Sequence, residues 1–295
     1  MPPDPSCSTP LGIIGGGAWG RALAVHAQRA GQDVRVWTRS AQTDLAPCGL
    51  VLVALPVAHA RAVVLRLGLA GHRLLFACKG IAPDGCFPAE GFARAGVLSG
   101  PNFAHEIAAG LPAASVVATP NEALRAEAVA RLATRDFRLY PSDDLIGAMA
   151  GGAAKNVIAI AAGACIGAGL GENARAALVT RGVAEIGRFA VASGGRAETV
   201  AGLSGMGDLI LTCTGAASRN YSFGLALGRG MPVADALAAA SGVVEGAPTA
   251  AALVRRARAV GVEMPICEAV AAVVGGTATL RDAMDRLLAR PVRAE

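Results

Sequence analysis

Two lysines are candidates for proton chemistry, because nearly every other basic residue of the chain is an arginine. Of the 27 basic residues, 25 are arginines, and only Lys79 and Lys155 are lysines. Codon drift in a GC-rich genome explains the excess of arginine, and it should spare a lysine where arginine cannot replace it. Arginine stays charged, whereas a lysine ammonium is compact and can release its proton. Both lysines are therefore candidates for a chemical role.

Lys155 occurs in the sequence G-G-A-A-K-N, at the predicted start of an apolar helix. An unpaired ammonium would be costly beside a buried helix. Burial would lower the pKa of the lysine and suit it to exchange a proton with a substrate oxygen. The amide of Asn156 could orient that ammonium or a hydroxyl group. The alternative is a lysine at a helix start that extends its ammonium to water.

Polar residues later in the chain could complete such a site. Asp208 lies within an otherwise apolar stretch, 203–211, so we expect a charge partner for it; the alternative is a helix or turn cap. Ser218, Arg219 and Asn220 offer a hydroxyl, a guanidinium and an amide in succession, which suits a phosphate group. Here the alternative is an ordinary helix start with Ser218 as the N-cap.

A glycine-rich turn predicts dinucleotide binding. Gly15, Gly17 and Gly20 fit G-x-G-x-x-G, between an apolar run at 11–14 and an amphipathic helix. The first glycine permits the tight turn, the second lets the backbone approach a pyrophosphate, and the third lets helix and strand pack closely. The alternative is a structural turn without a ligand.

The residues after the second predicted strand bear on the choice of cofactor. An NAD site usually has an acid there, but this strand runs into Thr38-Arg39-Ser40, and Asp33 lies at its other end. Arg39 could pair with a 2′-phosphate, which favours NADP(H) over NAD(H). The alternative is an exposed arginine without a ligand.

The elements that must position these residues fall into two groups. Strands and helices alternate up to residue 141, which predicts a Rossmann-like, doubly wound α/β domain over 11–141. Ligands in such sheets bind beyond the strand carboxyl ends, where residues 15–20, Arg39, Pro56, Lys79 and 100–102 are expected. The predicted strands are 11–14, 34–37, 50–55, 74–77, 96–98, 115–118 and 137–140, with helices at 57–67 and 122–132.

Residues 142–295 predict an all-helical second domain for substrate binding and catalysis. The run 157–170 is short and glycine-rich for a membrane span, so we expect a buried helix there. Residues 1–10 predict a short disordered tail. The predicted helices are 144–169, 174–193, 199–203, 218–227, 233–240, 249–260, 265–274 and 279–288.

Composition excludes several classes of protein. With 53% hydrophobic and 17% charged residues, the chain is not mainly disordered. Its net charge of +5 comes from scattered arginines, which suits an acidic small molecule and gives no sign of nucleic-acid binding. Seven widely spaced cysteines without C-x-x-C predict a cytoplasmic protein with no metal site. The oligomeric state is open, and a homodimer is the assembly we considered.

Nine short motifs, which follow one another from Leu11 onward in the same order as in a known family, give the chain a family resemblance. They are G-G-G-A-W-G, C-K-G, S-G-P-N-F-A-H-E, G-G-A-A-K-N-V-I-A-I, N-A-R-A-A-L-V-T-R-G, G-M-G-D-L-I-L-T-C-T, S-R-N, V-V-E-G and G-V-E-M-P-I. Together they resemble the bacterial NAD(P)-dependent sn-glycerol-3-phosphate dehydrogenase family. The resemblance implies reversible reduction of dihydroxyacetone phosphate to sn-glycerol 3-phosphate by NAD(P)H, for glycerophospholipid synthesis.

The resemblance also implies residue roles. Lys155 would donate and accept the proton, and Lys79 and Asp208 would complete the catalytic set. The substrate-binding residues would be Lys79, Gly100, Asn102, Lys155, Asp208, Ser218, Arg219 and Asn220. The cofactor-binding residues, including those expected from the glycine-rich turn and from Arg39, are Gly15, Gly17, Ala18, Trp19, Gly20, Arg39, Lys79, Ala104, Arg219, Val243 and Glu245.

The chain departs from the family pattern at three places. Residues 39–49 form a shorter link than usual, Asn102 stands where Ser or Thr is usual, and Ala18 replaces a usual Ser. We predict an active enzyme, and a degenerate paralogue is the alternative. A β-hydroxyacid dehydrogenase of the 6-phosphogluconate or hydroxyisobutyrate type, or a non-catalytic redox sensor, are the other functions considered.

Overall fold

The first part of the chain forms one seven-stranded sheet. The computed structural model describes residues 9–215 and 217–291, so most of the predicted tail lies outside the described residues. The strand order is β2-β1-β3-β4-β5-β6-β7. The strands are β1 (Leu11–Ile14), β2 (Val34–Trp37), β3 (Leu50–Val53), β4 (Arg73–Phe76), β5 (Ala95–Ser99), β6 (Ala113–Ala118) and β7 (Phe137–Ser142).

Both faces of this sheet are buried, as its continuous apolar strands predict. In β3, Leu50 and Leu52 enter one hydrophobic cluster, whereas Val51 and Val53 enter another on the opposite face. Strands β2 to β5 are parallel, and only the pairing of β5 with β6 is antiparallel. The doubly wound α/β prediction is confirmed. Its helices are α1 (Ala18–Arg29), α2 (Val57–Arg66), α3 (Ala104–Ala109) and α4 (Glu122–Leu132).

The rest of the described chain is helical, as predicted. A π-helical turn, Leu203–Gly207, separates α7 from α8. The helices are α5 (Leu145–Gly167), α6 (Gly171–Ala192), α7 (Ala197–Ala201), α8 (Asp208–Thr214), α9 (Arg219–Gly228), α10 (Val233–Ala238), α11 (Gly246–Ala259), α12 (Pro265–Val274) and α13 (Leu280–Leu288).

Helix α5 is the central element of the helical part. It crosses α9 at glycines: a Cβ added at Gly163 would lie 2.0 Å from the Tyr221 carbonyl oxygen. By length and composition α5 could cross a membrane, but 83% of its most apolar stretch is buried in the protein. The predicted helix at 144–169 is therefore present as α5, and the apolar run that begins at 157 forms its second half. Lys155 consequently lies in mid-helix and not at a helix start.

Two local predictions differ from the structure. The predicted helix at 199–203 is replaced by α7 and the π-helical turn, and α3 and α8 were not predicted. The link between β2 and β3 contains neither helix nor strand in the structure. Its Leu45 and Cys48 side chains are buried in the core beside Trp37, so two side chains cover this part of the sheet.

Candidate active site

The glycine-rich turn has the geometry that its sequence predicts. Gly15 has a φ of 126°, and a Cβ there would lie 2.4 Å from the Ala54 carbonyl oxygen. A Cβ at Gly20 would lie 2.0 Å from the Gly15 oxygen, so both positions exclude a side chain. Nothing lies within 4 Å of a Cβ at Gly17, so a ligand could approach the backbone there.

The start of α1 is suited to an anion. Gly17 is its N-cap residue, and no side chain caps this helix end, so backbone N–H groups at the start of α1 face the open side of the turn. Ala18 adds no hydroxyl group. Trp19 donates a hydrogen bond from Nε1 to the Ala77 carbonyl oxygen at 2.9 Å, which ties the turn to the end of β4. The residues present therefore fit the pyrophosphate of a dinucleotide.

The end of β2 is compact and polar. Thr38 N–H donates to the Ala41 carbonyl oxygen at 2.8 Å, and Ala41 N–H donates to Thr38 Oγ1 at 2.8 Å. These bonds close a short turn that leaves Arg39 exposed. Its guanidinium therefore remains at the carboxyl edge of the sheet, where the cofactor argument requires it.

Lys79 follows β4 and reaches across to the helical part. Its ammonium donates to the Gly100 carbonyl oxygen at 2.9 Å and forms an ion pair with the Asp208 carboxylate. Asp208, only 1% exposed, begins α8 directly after the π-helical turn. The expected charge partner of Asp208 is thus present, and one carboxylate joins the sheet to the helices.

Lys155 approaches the other oxygen of the same carboxylate. Its Nζ donates to Asp208 Oδ1 at 2.5 Å and to Thr212 Oγ1 at 2.9 Å. Thr212 in turn donates to the Asp208 carbonyl oxygen at 2.6 Å. An ammonium has three N–H donors, so one remains without a partner in the part of the chain that the structure describes. The water-exposed alternative for Lys155 is wrong, because the residue is buried.

Burial sets the protonation of this lysine. It lowers the pKa of Lys155 from 10.5 to about 8; the Asp208 carboxylate opposes that shift, and the Lys79 ammonium adds to it. Two ammonium groups share one carboxylate, so the charges of these three side chains sum to one positive charge. Such a site favours an anionic ligand and an oxygen on which negative charge develops.

Asn156 connects three helices and does not orient Lys155 as the sequence suggested. Asn220 Nδ2 donates to Asn156 Oδ1 at 3.0 Å, and the Gly246 N–H donates to Asn220 Oδ1 at 2.9 Å. These bonds tie α5, next to Lys155, to the starts of α9 and α11. Asn220 is buried and uses both ends of its amide within the protein.

The residues beside Asn220 have different surroundings. Ser218 caps α9 by accepting a hydrogen bond from the Tyr221 N–H at 3.2 Å, as its structural alternative predicts. Arg219 is exposed and lies near Gly242 and the Glu245 carboxylate. Glu245 accepts a hydrogen bond from the Val57 N–H, and burial raises its pKa to about 7. The exposed Val243 lies next to this contact between helical part and sheet.

The loop after β5 closes another side of the site. A Cβ at Gly100 would lie 2.7 Å from the Ala114 carbonyl oxygen, so this loop packs tightly on β6. Asn102 Nδ2 donates to Ser115 Oγ at 2.6 Å, whereas Asn102 Oδ1 is buried without a hydrogen-bond partner among the described residues. Ala104 begins α3 and packs on the same cluster as Trp19.

Sequence reasoning missed Thr212. It stands four residues after Asp208, which puts both side chains on one face of α8, and that spacing is the signal that could have identified it. No group of three or more His, Cys, Asp or Glu side chains could hold a metal ion within residues 9–215 and 217–291. The metal-free site stays a prediction.

The fold and this site define a class of Rossmann-fold proteins that join a dinucleotide-binding sheet to a helical region. A family model described as NAD-dependent glycerol-3-phosphate dehydrogenase C-terminus matches residues 144–285. The corresponding N-terminus model matches residues 10–48 and 40–125. The chain belongs to the NAD-dependent glycerol-3-phosphate dehydrogenase family.

Relatives agree with this assignment over the whole chain. A protein of Gluconobacter oxydans named glycerol-3-phosphate dehydrogenase (NAD(P)+) is 46% identical over 318 positions, covering 97% of this chain and 98% of the relative. The same name belongs to a Caulobacter vibrioides protein, 43% identical over 325 positions, covering 97% and 98%. A crystal structure of glycerol-3-phosphate dehydrogenase from Coxiella burnetii has a TM-score of 0.88 and 34% identity, covering 96% of this chain and 99% of that one.

These matches also bear on the short link after β2. Both sequence alignments span more positions than the 295 residues of this chain, so the relatives contain residues that have no counterpart here. The N-terminal match is split into two segments that meet at residues 40–48. Both findings agree with the shortened link between β2 and β3.

Proposed function

We propose that this chain catalyses the reversible, NAD(P)H-dependent reduction of dihydroxyacetone phosphate to sn-glycerol 3-phosphate in the cytoplasm. The product supplies glycerophospholipid synthesis. The observation that carries the proposal is the convergence of the only two lysines of the chain on the buried Asp208 carboxylate. The names of the relatives point to the same substrate.

Lys155 is the proton donor in the direction of ketone reduction. The nicotinamide cofactor, when bound, supplies the hydride. Asp208 and Thr212 each accept one N–H of the Lys155 ammonium, which directs the third N–H toward the substrate oxygen. In the reverse direction neutral Lys155 accepts the hydroxyl proton. A pKa of about 8 allows both steps near neutral pH.

Lys79 provides the second positive charge beside the reacting oxygen and also contacts the cofactor. It is held between the Gly100 carbonyl oxygen and Asp208, and Gly100 and Asn102 line the substrate pocket. The two ammonium groups stabilise negative charge as it develops on the oxygen. The chemistry therefore needs no metal ion.

The phosphate group binds at the start of α9. Arg219 is the main phosphate ligand because its guanidinium is exposed and charged. Its neighbour Asn220 is hydrogen-bonded to Asn156 of α5, so the start of α9 is held next to Lys155. Ser218 and Asn220 contribute from the same turn. Their hydroxyl and amide groups are already used as a cap and as a bridge, so their part in phosphate binding is secondary.

The cofactor binds along the carboxyl edge of the sheet. Gly15, Gly17, Ala18, Trp19 and Gly20 would hold its pyrophosphate. The other residues that would contact the cofactor are Lys79, Ala104, Arg219, Val243 and Glu245. Arg39 favours NADPH because an exposed guanidinium suits a 2′-phosphate. In this proposal residues 11–141 hold the cofactor, and residues 142–295 provide substrate binding and catalysis. A homodimer stays a prediction.

Substrate comparison tests the proposed reaction. Oxidation of NADPH or NADH should be fast with dihydroxyacetone phosphate and slow with dihydroxyacetone, which lacks the phosphate. Turnover of 3-hydroxyisobutyrate or 6-phosphogluconate, without activity on dihydroxyacetone phosphate, would favour a β-hydroxyacid dehydrogenase. Cofactor binding without turnover of any of these compounds would favour a redox sensor.

A further inference from the structure

Two glycines of α5 lie on the same side of the helix as Lys155, one turn before it. Gly151 and Gly152 precede Lys155 by four and three residues, so each lies beside Lys155 on the helix surface. A glycine inside a helix is less stable than an alanine. The neighbours of both glycines give a reason why side chains are absent next to the proposed proton donor.

Gly151 contacts the segment that carries Asp208. A Cβ at Gly151 would lie 2.8 Å from the Ser204 carbonyl oxygen and 2.9 Å from Gly205 Cα. Both are backbone atoms of the π-helical turn Leu203–Gly207, and Asp208 follows that turn directly. On its other side, the turn is backed by the Val200 carbonyl oxygen, 2.0 Å from a Cβ at Gly205. A methyl group at Gly151 would therefore press on the turn that leads into Asp208.

Gly152 contacts the second lysine. A Cβ at Gly152 would lie 3.3 Å from Ser99 Oγ and 3.5 Å from Lys79 Cγ. Ser99 is 4% exposed, and its hydroxyl has no hydrogen-bond partner among the described residues. A methyl group at Gly152 would therefore make an ordinary van der Waals contact with Lys79, but it would push on the buried Ser99 at the end of β5, next to Gly100.

We infer that Gly151 and Gly152 are positioning residues. Gly151 lets the Asp208 segment approach α5 closely enough for both lysines to share one carboxylate, and Gly152 leaves room for Ser99, next to the Gly100 carbonyl group that holds Lys79. The functional part of this inference rests on the proposed reaction. The charged or titratable groups that face Lys155 are Asp208, Lys79 and Cys213, and Gly151 controls how closely the segment that carries Asp208 approaches α5.

The chain allows a measurement that does not depend on turnover. Because Lys79 and Lys155 are its only lysines, protein labelled with 13C at lysine Cε gives two lysine signals whose titration reports both ammonium groups. The samples are the wild type, Gly151→Ala, Gly152→Ala and Gly187→Ala. Gly187 is the matched control, because it lies in α6 and nothing lies within 4 Å of a Cβ there.

We expect the Lys155 signal of Gly151→Ala to titrate at lower pH than in the wild type, because a displaced Asp208 stabilises the ammonium less. Its kcat for dihydroxyacetone phosphate should fall by about tenfold to a hundredfold, as small displacements at reacting groups do. In Gly152→Ala the Lys79 signal should shift and KM for the substrate should rise. Gly187→Ala should match the wild type in every respect.

A folded Gly151→Ala protein whose Lys155 titrates as in the wild type, or at higher pH, would overturn the inference. If Gly151→Ala does not fold, Gly152→Ala decides: an unchanged Lys79 signal and an unchanged KM would overturn it. A wild type that does not turn over dihydroxyacetone phosphate would contradict the proposed reaction, whereas the lysine titrations would still test the positioning.

Discussion

At the scale of single residues, the proposed chemistry depends on an ammonium that burial makes more acidic. The pKa of Lys155 is lowered to about 8, so the side chain is mostly charged at pH 7 and mostly neutral at pH 9. Ketone reduction requires the charged form, and alcohol oxidation requires the neutral form. The same group therefore gives the two directions opposite pH dependences.

Opposite pH dependences are the first prediction. The kcat/KM for reduction of dihydroxyacetone phosphate should fall as pH rises through about 8, and that for oxidation of sn-glycerol 3-phosphate should rise over the same interval. Initial rates between pH 6.5 and 9.5 with saturating cofactor measure both. Parallel profiles in the two directions would show that another group transfers the proton.

Removing the proposed phosphate ligand gives a second prediction. Arg219→Ala should raise KM for dihydroxyacetone phosphate by about tenfold to a hundredfold, because it deletes a hydrogen bond between charged groups. At saturating cofactor, the rate with dihydroxyacetone should hardly change. Arg229→Ala is the matched control, because Arg229 is exposed at the other end of α9. Equal effects of both substitutions would contradict phosphate binding by Arg219.

The types of residue in the sequence indicated several of the side chains that belong to this site, but only the structure shows how these side chains contact one another. The scarcity of lysine indicated Lys79 and Lys155, and an acid in an apolar stretch indicated Asp208. The sequence did not reveal that both lysines meet the same carboxylate, because positions 79, 155 and 208 are brought together only by packing. The pairing of Asn156 Oδ1 with Asn220 was missed for the same reason, because Asn220 is distant in sequence; a role of Asn156 in orienting a hydroxyl group stays a prediction.

At the scale of elements, the link between β2 and β3 bears on cofactor choice. Its tight turn leaves Arg39 exposed at the end of β2. Arg39→Ala should weaken NADPH binding by about tenfold, the value of one charge-assisted hydrogen bond, and NADH binding much less. Quenching of tryptophan fluorescence measures both dissociation constants. Arg138→Ala, at an exposed position of β7, is the control; equal losses for the two cofactors would contradict a 2′-phosphate contact.

The start of α12 gives an element-scale prediction about stability. Glu185 of α6 is buried and accepts hydrogen bonds from the Ile266 N–H at 2.8 Å and the Cys267 N–H at 3.4 Å. Burial raises its pKa from 4.5 to about 7 despite these bonds. The folded protein therefore binds a proton more tightly than the unfolded chain, and the contribution of Glu185 to stability falls as pH rises from about 4.5 through about 7.

Glu185→Gln removes this titration and keeps an oxygen acceptor for the Ile266 N–H. The free energy of unfolding of the wild type should decrease, relative to that of the variant, by up to about 3 kcal/mol between pH 5 and pH 8. Urea unfolding of both proteins at the two pH values measures the difference. Identical changes in the two proteins would show that Glu185 does not titrate in this range.

Periodic elements were predictable, and exceptions to periodicity were not. Helices α4 and α12 have the predicted bounds, because a capping asparagine, Asn121, marks the start of α4 and a proline marks the start of α12. The π-helical turn before Asp208 has no such local pattern, since it is held by close backbone contacts of Gly151 and Gly205 with other segments. The element that places the key carboxylate was therefore the least predictable one.

At the scale of the whole molecule, α5 and Asp208 join the two parts of the chain. Helix α5 carries Lys155, and Asp208 pairs this lysine with Lys79 from the sheet. A second connection runs from Glu245 to the Val57 N–H at the start of α2. The sheet and the helical part thus meet at Asp208, where the proposed reaction needs a nicotinamide and a ketone beside the two ammonium groups.

The most direct test of the proposed function compares the wild type with Lys155→Ala at the nicotinamide absorbance band. Wild-type protein should oxidise NADPH when dihydroxyacetone phosphate is added. Lys155→Ala should lose about a hundredfold or more of that rate, as expected for a proton donor, while it still binds NADPH as judged by tryptophan fluorescence. Absence of oxidation by wild-type protein that binds NADPH, or full activity of Lys155→Ala, would contradict the proposed reaction.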